Sequence, residues 1–373
     1  MRVGIDARLL TGRNTGDRTY WLGLVKGLAA LPDINEYILY CRETPAFDQM
    51  PMLDGRFTTR IVPSRHDRIW SAVSFPLALR KDRVDVAHVQ YTVPPFMPAP
   101  TVTTIHDISF KLLPHLFTAK DRAILGGTIP SSIARAAAVI GVSQNTRDAI
   151  LAEYPGTPPE KVHAILNGVD PVFRPIADTE RDSVRAHLKD AYGIDRPYVL
   201  CLGLLQPRKN VPFLIKAFAR ARREASLPHV LVVAGRSGWM AAETEAAISS
   251  AGGDVLFTGY IPDEDLPRLY GAADALAYPS LYEGFGLPAA EAMACGCPVI
   301  VSNTSSLPEV VGDAGILASP TDTDAWVAAL TSLLTDSAMR DDLHTKGIER
   351  AKLFTWEKMA TETLAVYRAA AVR

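Results

Sequence analysis

Tyr278-Pro-Ser-Leu-Tyr-Glu283-Gly-Phe-Gly-Leu-Pro-Ala-Ala-Glu291-Ala-Met-Ala-Cys-Gly-Cys-Pro-Val299 is the stretch whose reading decides the fold. An apolar run ends at Tyr278 and reads as a buried strand. A loop with Gly284 and Gly286 follows. Pro288 suits the first turn of a helix and Gly296 suits its end. A strand, a glycine loop and a helix start in succession expose backbone amides, which is what a phosphate needs. Glu283 lies in the loop and Glu291 in the first turns of the helix, so the two do not share one helical face. A carboxylate beside a phosphate repels it. A functional pair is therefore aimed at hydroxyl groups, on a sugar and on a ribose. The other reading is a solvated pair around an ordinary strand–helix turn, and composition alone does not separate the two.

The same alternation extends outward in both directions. Tyr198–Gly203, Val230–Gly235, Val255–Thr258, Ala275–Tyr278 and Val299–Ser302 read as strands, and Val3–Asp6, Tyr37–Tyr40, Val86–His88, Val102–His106 and Ala138–Val142 read as buried strands. Between them, Thr19–Leu31, Val211–Ala225 and Asp322–Leu334 space their apolar residues as helices do. Strand–helix alternation means parallel sheets covered on both faces. A turn signal at Asn167-Gly-Val-Asp-Pro and a charged stretch, Thr179–Tyr192, interrupt the pattern before a new strand begins near Pro197. The expectation is α/β: two doubly wound domains, residues 1–172 plus a returning 355–373, and residues 173–354. In such sheets ligands bind at the carboxyl ends of the strands. Two facing halves would hold one in the cleft between them.

Composition narrows the function classes. With 39 basic and 41 acidic residues the net charge is -2, which does not fit nucleic acid as a partner. Four scattered cysteines make neither a disulfide framework nor a zinc site, so reduced thiols in a cytosolic enzyme are expected. No signal peptide and no membrane-spanning run are visible in the sequence. The stretch Arg65–Lys81 mixes cations with apolar residues at helical spacing. A core helix is favoured over an interfacial one, because Pro76 would disturb a long helix lying on a membrane.

Further candidates sit at strand ends. Gly203-Leu-Leu-Gln-Pro-Arg208-Lys209 follows a strand, and two adjacent cations there suit a diphosphate whose leaving oxygen gains charge. Arg236 follows another strand, either as a nucleotide contact or as a solvated helix entry. Gly12-Arg-Asn-Thr-Gly16 follows the first strand with the wrong spacing for a dinucleotide fingerprint. Beyond it, Asp17 and Arg18 either reach an acceptor or belong to a surface loop. His106-Asp107 ends a buried strand. The histidine suits a sugar hydroxyl or a core hydrogen bond, and the aspartate suits an acceptor contact or a structural cap. The last helix, Trp356–Ala370, is amphipathic, with Trp356 and Tyr367 as packing residues.

With these pieces in order along nearly the whole chain, the sequence resembles the retaining family 4 glycosyltransferases, which have the GT-B fold of two Rossmann-like domains. The Glu-x7-Glu segment carries the resemblance. Thr258-Gly-Tyr-Ile-Pro-Asp-Glu-Asp-Leu, Ser302-Asn-Thr-Ser-Ser-Leu-Pro-Glu-Val-Val-Gly-Asp and Phe354-Thr-Trp-Glu add to it. The resemblance implies that Glu283 contacts hydroxyls of a donor sugar and Glu291 the ribose. It gives Gly284, Phe285, Gly286 and Leu287 amides that line sugar and phosphates. Lys209 takes the diphosphate, His106 an outer sugar hydroxyl, and the loop ending at Gly16 faces the distal phosphate. Backbone atoms near Tyr260 and Ile261 read the base. Two departures stand out. Leu204 replaces an arginine that many members have, so Arg208 supplies that charge or the site works with fewer cations. Gly16-Asp-Arg-Thr-Tyr20 lacks the second glycine of the family's loop.

The expected activity is transfer of a hexose from a nucleotide diphosphate sugar to a hydroxyl of a glycan or lipid-linked saccharide, with the anomeric configuration kept. The form of the motifs leans to GDP-mannose or a related donor. No cofactor and no metal are called for, since cations and amides hold the phosphates. The expected location is cytoplasmic, with room for peripheral attachment to the inner face of a membrane. The sequence leaves oligomeric state open. A nucleotide-sugar epimerase or phosphorylase, and a non-catalytic sugar-nucleotide-binding subunit, are the alternatives. A dehydrogenase fits less well, because the glycine spacing after the first strand is wrong.

Overall fold

The computed structural model describes residues 1–11, 16–44, 53–66, 69–238 and 240–372. The chain divides into two compact units, Met1–Gly168 with Thr355–Arg373, and Val169–Phe354. No helix among the described residues is long and apolar enough to cross a membrane.

Among the described residues the first unit is built on seven parallel strands: β1 (Arg2–Asp6), β2 (Glu36–Cys41), β3 (Phe57–Ile61), β4 (Val86–Gln90), β5 (Thr101–Ile105), β6 (Ala138–Gly141) and β7 (Val162–Ala164). Their order is β3-β2-β1-β4-β5-β6-β7. The chain leaves β1 toward one edge and β4 toward the other, so a topological switch point falls between these two strands. The central strands are almost wholly buried, as a sheet covered on both faces requires.

Helix Trp356–Ala371 packs on helix Gly16–Ala30, and small residues allow the approach. A Cβ at Gly23 would lie 2.2 Å from the Trp356 ring, and one at Gly27 would lie 2.2 Å from the Trp356 carbonyl oxygen. Tyr367 is fully buried, and its hydroxyl meets His88 Nδ1 at 2.5 Å. His88 Nε2 lies 2.8 Å from Thr104 Oγ1, which lies 2.7 Å from Tyr20 Oη. Burial pushes the His88 imidazole down to about 3, so this chain of hydrogen bonds works with a neutral ring.

The segment before β4 shows two faces. A wide turn, Trp70–Ser74, leads into helix Phe75–Asp82. Trp70, Phe75 and Leu79 enter the core, which is the core packing read from the sequence. Ile69, Val73 and Leu77 stay 50%, 51% and 61% exposed in a row spaced four residues apart.

The second unit has six parallel strands: β8 (Tyr198–Leu202), β9 (Val230–Ala234), β10 (Val255–Gly259), β11 (Ala275–Tyr278), β12 (Val299–Ser302) and β13 (Ile316–Ala318). Their order, β10-β9-β8-β11-β12-β13, puts the switch point between β8 and β11. Helices Val211–Glu224 and Thr323–Thr335 cover one face through Leu214, Phe218, Trp326 and Leu330. Asp322 starts the latter helix by accepting from Ala325 N–H at 3.0 Å.

Three strands were not read from the sequence: β3, β7 and β13. All are sheet edges. β3 reads Phe-Thr-Thr-Arg-Ile and is half exposed, so it lacks the continuous apolar run of an inner strand. β7 and β13 have three residues each, too short to show a period.

Candidate functional site

At the switch point of the second unit, the loops after β8 and β11 leave neighbouring strands in opposite directions. The first loop ends in Pro207-Arg208-Lys209, and the second carries Glu283. Several ties fix them together. Leu281 N–H donates to the Arg208 carbonyl at 2.8 Å. Asn210, in the left-handed region at φ 57°, donates from Nδ2 to the carbonyls of Pro279 at 3.3 Å and Pro320 at 2.8 Å. The loop after β12 clamps from the far side. Glu283 N–H donates to Ser305 Oγ at 2.9 Å, and Ser306 Oγ donates to the carbonyls of Glu283 at 3.0 Å and Phe285 at 2.8 Å. No spacing rule assigns these serines a role. A run of hydroxyls just after a strand beside the glycine loop was the available signal.

Glu283 is buried and shared between two cations. Lys209 Nζ donates to Oε1 at 2.6 Å, and Arg208 Nη1 donates to Oε2 at 3.2 Å. Lys209 also donates to the hydroxyl of Tyr278, the last residue of β11. Burial alone would raise the Glu283 carboxyl, but Arg208 and then Lys209 outweigh it and hold it down at about 2. Burial and Arg208 pull the Lys209 ammonium down from its ordinary value, while Glu283 pushes it up.

Gly286 then turns the chain into helix Leu287–Ala294. Its φ of 100° is in the left-handed region, and a Cβ would lie 2.6 Å from Leu307 Cδ2. Glycine is thus required there both for conformation and for space. Pro288 has no N–H, and the Ala289 and Ala290 amides donate to the Gly286 carbonyl at 3.0 and 3.3 Å, so in the first turn it is the Leu287 amide that is placed for an anion. The Phe285 side chain points inward onto Phe354, with ring centroids 5.5 Å apart, while its carbonyl is held by Ser306.

Glu291 sits one turn further, also buried. Tyr270 Oη donates to its Oε2 at 2.8 Å. Burial raises this carboxyl to about 7, with Asp263 and Asp170 adding to the rise and Tyr270 opposing it. Tyr270 is a residue the sequence gave no hint of; it lies inside a short helix rather than at a strand end. Ile261 is buried close to the end of β10, while Tyr260 is 46% exposed and Arg236 lies over its ring at 5.2 Å.

In the first unit, His106 follows β5, the strand beside β4. Its ring packs edge-on against Tyr20 at 5.0 Å and at a tilt against Tyr91 at 5.4 Å. Nε2 is buried and has no hydrogen-bond partner among the described residues; Asp17 Oδ1 is 3.7 Å away. Burial lowers its pKa. Asp107 acts as a cap: its Oδ1 accepts from Ser109 N–H at 2.9 Å and Ser109 Oγ at 2.6 Å. Arg18 turns inward, 8% exposed, with Nε toward the Leu10 carbonyl at 3.4 Å. Gly16 opens helix Gly16–Ala30. The rest of the glycine loop, residues 12–15, lies outside the described residues.

The pattern described as "Glycosyl transferases group 1" matches residues 185–350, and that described as "Glycosyltransferase Family 4" matches residues 16–173. O-antigen chain mannosyltransferase B of Escherichia coli is 32% identical, over 95% of this chain and 96% of that protein. Sucrose-phosphate synthase from Thermosynechococcus elongatus shares the fold at TM-score 0.77 and 23% identity, over 99% of this chain and 98% of the other. Anabaena Alr3699/HepE, solved in complex with UDP-glucose, does so at TM-score 0.76 and 17% identity, over 99% and 100%. This chain belongs to the family 4-like glycosyltransferases of the GT-B fold.

Proposed function

We propose that the protein transfers a hexose, mannose from GDP-mannose or a related nucleotide sugar, to a hydroxyl of a glycan or lipid-linked saccharide, with the anomeric configuration kept. The observation that carries this reading is the Glu283 carboxylate held between Lys209 and Arg208, one loop before a glycine-opened helix. A sugar diphosphate needs a cation and amides on its phosphates and a fixed acceptor on its hydroxyls, and this corner offers all three. The 32% identity to an O-antigen chain mannosyltransferase supports the choice of sugar.

In this reading Lys209 and the loop amides that end at Leu287 take the diphosphate, and Glu291 takes the ribose. Glu283 orients the sugar. His106, with its unpartnered Nε2, is the first unit's group for a substrate hydroxyl. Transfer on the front face breaks the bond from the anomeric carbon to the phosphate oxygen as the acceptor oxygen bonds to that carbon. The acceptor's proton passes to the departing phosphate. Preorganised charge on the leaving group supplies most of the rate.

The test is to incubate the protein with GDP-mannose and a mannose-terminated lipid-linked acceptor and to read the new linkage by NMR. An α-linked product from the α-configured donor supports the reading. A β-linked product, or donor that changes without transfer, overturns it. Peripheral attachment to the membrane that carries such an acceptor fits the exposed row Ile69, Val73 and Leu77 beside exposed Arg80 and Lys81. Failure to sediment with anionic vesicles would remove that part alone.

A further inference from the structure

Arg208 is placed by the sequence beside the diphosphate lysine, yet its guanidinium is turned to other work. Nη1 donates to the Tyr282 carbonyl at 2.8 Å and to Glu283 Oε2 at 3.2 Å. With the Gln206 amide oriented so that its oxygen faces the guanidinium, that oxygen accepts from Nε at 2.9 Å and from Nη2 at 3.2 Å. Gln206 is itself 3% exposed. The planar fork thus spans from a buried amide in the β8 loop to the carboxylate in the β11 loop. Lys209 differs: it is a compact charge whose three hydrogens rotate freely. Two of them go to Glu283 and Tyr278, and an ammonium has a third for phosphate.

We propose that Arg208, seated on Gln206, is a positioning residue that fixes the rotation of the Glu283 carboxylate, and that it is not a ligand of the diphosphate. This rests on the donor reading above. With one oxygen on each cation, the carboxylate cannot turn, and each oxygen keeps a lone pair for one sugar hydroxyl. Hydrogen-bond strength falls steeply with angle. A fixed carboxylate therefore rejects a sugar whose hydroxyl points the wrong way, and a loosened one does not. Arg208 then sets sugar specificity through Glu283, while Lys209 alone of the pair meets phosphate.

The experiment compares Arg208→Gln, Arg208→Lys and Lys209→Ala in the full chain. GDP and UDP affinities are measured by calorimetry, and kcat/KM is measured for GDP-mannose against GDP-glucose. GDP or UDP binding also reports that the second unit is folded. Both Arg208 variants are expected to keep nucleoside diphosphate affinity within about threefold and to lose kcat by about 100-fold. Their preference between the two epimeric donors should narrow by about tenfold. Arg208→Lys should be no better than Arg208→Gln, because an ammonium cannot reach both Gln206 and Glu283. Lys209→Ala should weaken nucleoside diphosphate by more than about tenfold.

The inference is overturned if Arg208→Gln weakens nucleoside diphosphate as much as Lys209→Ala does and Arg208→Lys restores it. Unchanged donor preference in both Arg208 variants also overturns it. A wild-type chain that binds no nucleoside diphosphate overturns the donor reading, and this inference with it, before any variant is made.

Discussion

Glu283 and Glu291 are the same residue, both buried, eight positions apart, and their surroundings drive them in opposite directions. Two cations hold Glu283 at about 2; burial with two like charges nearby raises Glu291 to about 7. The difference teaches what each is suited to do. Glu283 is charged throughout the neutral range, which suits the proposed role of a fixed acceptor for sugar hydroxyls. Glu291 stands at the edge of ionisation, with one hydroxyl, that of Tyr270, on its carboxylate. A ribose brings further hydroxyls that favour the charged form. If Glu291 takes the ribose as proposed, nucleotide binding should expel a proton from Glu291 and leave Glu283 unchanged.

The comparison is broken most easily at Glu283. Glu283→Gln is expected to slow transfer by about 1000-fold in steady-state assays. It should also cost about 3 kcal/mol in urea titrations, because it leaves Lys209 and Arg208 without their counter-charge. A variant as stable as the parent would mean that the ion pairs do not hold the two loops.

Next in size is the pH dependence. The Glu283 carboxyl is depressed below its ordinary 4.5, so its contribution is present above 4.5 and lost as pH falls toward 2. The Glu291 carboxyl is raised, so its contribution is full below 4.5 and is lost as pH rises through 7. Each shift corresponds to about 3 kcal/mol at roughly 1.36 kcal/mol per unit. Between pH 5 and 8 the parent should lose stability relative to Glu291→Gln, which carries no charge at that site. Parallel urea midpoints for the two proteins across that range would contradict the assigned shift.

Glu291→Gln should also weaken nucleotide affinity by about tenfold, the value of one charged hydrogen bond to the ribose. Calorimetry in two buffers of different ionisation enthalpy should show the proton released by the parent and none by the variant. Tyr270→Phe is the smallest change: it removes the group that lowers the Glu291 pKa. The parent's neutral-pH step should then move upward, and nucleotide affinity should fall by about threefold.

The sequence made the inner strands legible because a sheet covered on both faces writes each of them as an unbroken apolar run, as in Val-Leu-Val-Val-Ala of β9. It hid β3, which is polar and half exposed, and β7 and β13, which have three residues each, whereas the half-exposed edge strand β10 stayed legible through its apolar Val255-Leu-Phe. Glu283, Glu291, Lys209 and Gly286 were visible because their spacing is local. The sequence could not show that Asp107 caps Ser109, that Arg18 turns inward, or that Arg208 reaches back to Gln206, since each depends on where a rotatable side chain finds its partner. Tyr270 lies 21 residues from Glu291, and only the folded sheet brings them together.

The most direct test of the central claim is a thermal-shift panel of UDP-, GDP-, ADP- and TDP-sugars on the parent chain and on Glu283→Ala. A ligand at 100 times its Kd adds about 2.7 kcal/mol to the folded state, so at least one nucleotide sugar should raise the parent's melting temperature by several degrees. Glu283→Ala should lose the part of that rise due to the sugar and keep the part given by the nucleoside diphosphate alone. No shift with any nucleotide sugar, or the same shift in both proteins, would contradict the assignment of the Glu283 corner as the donor site.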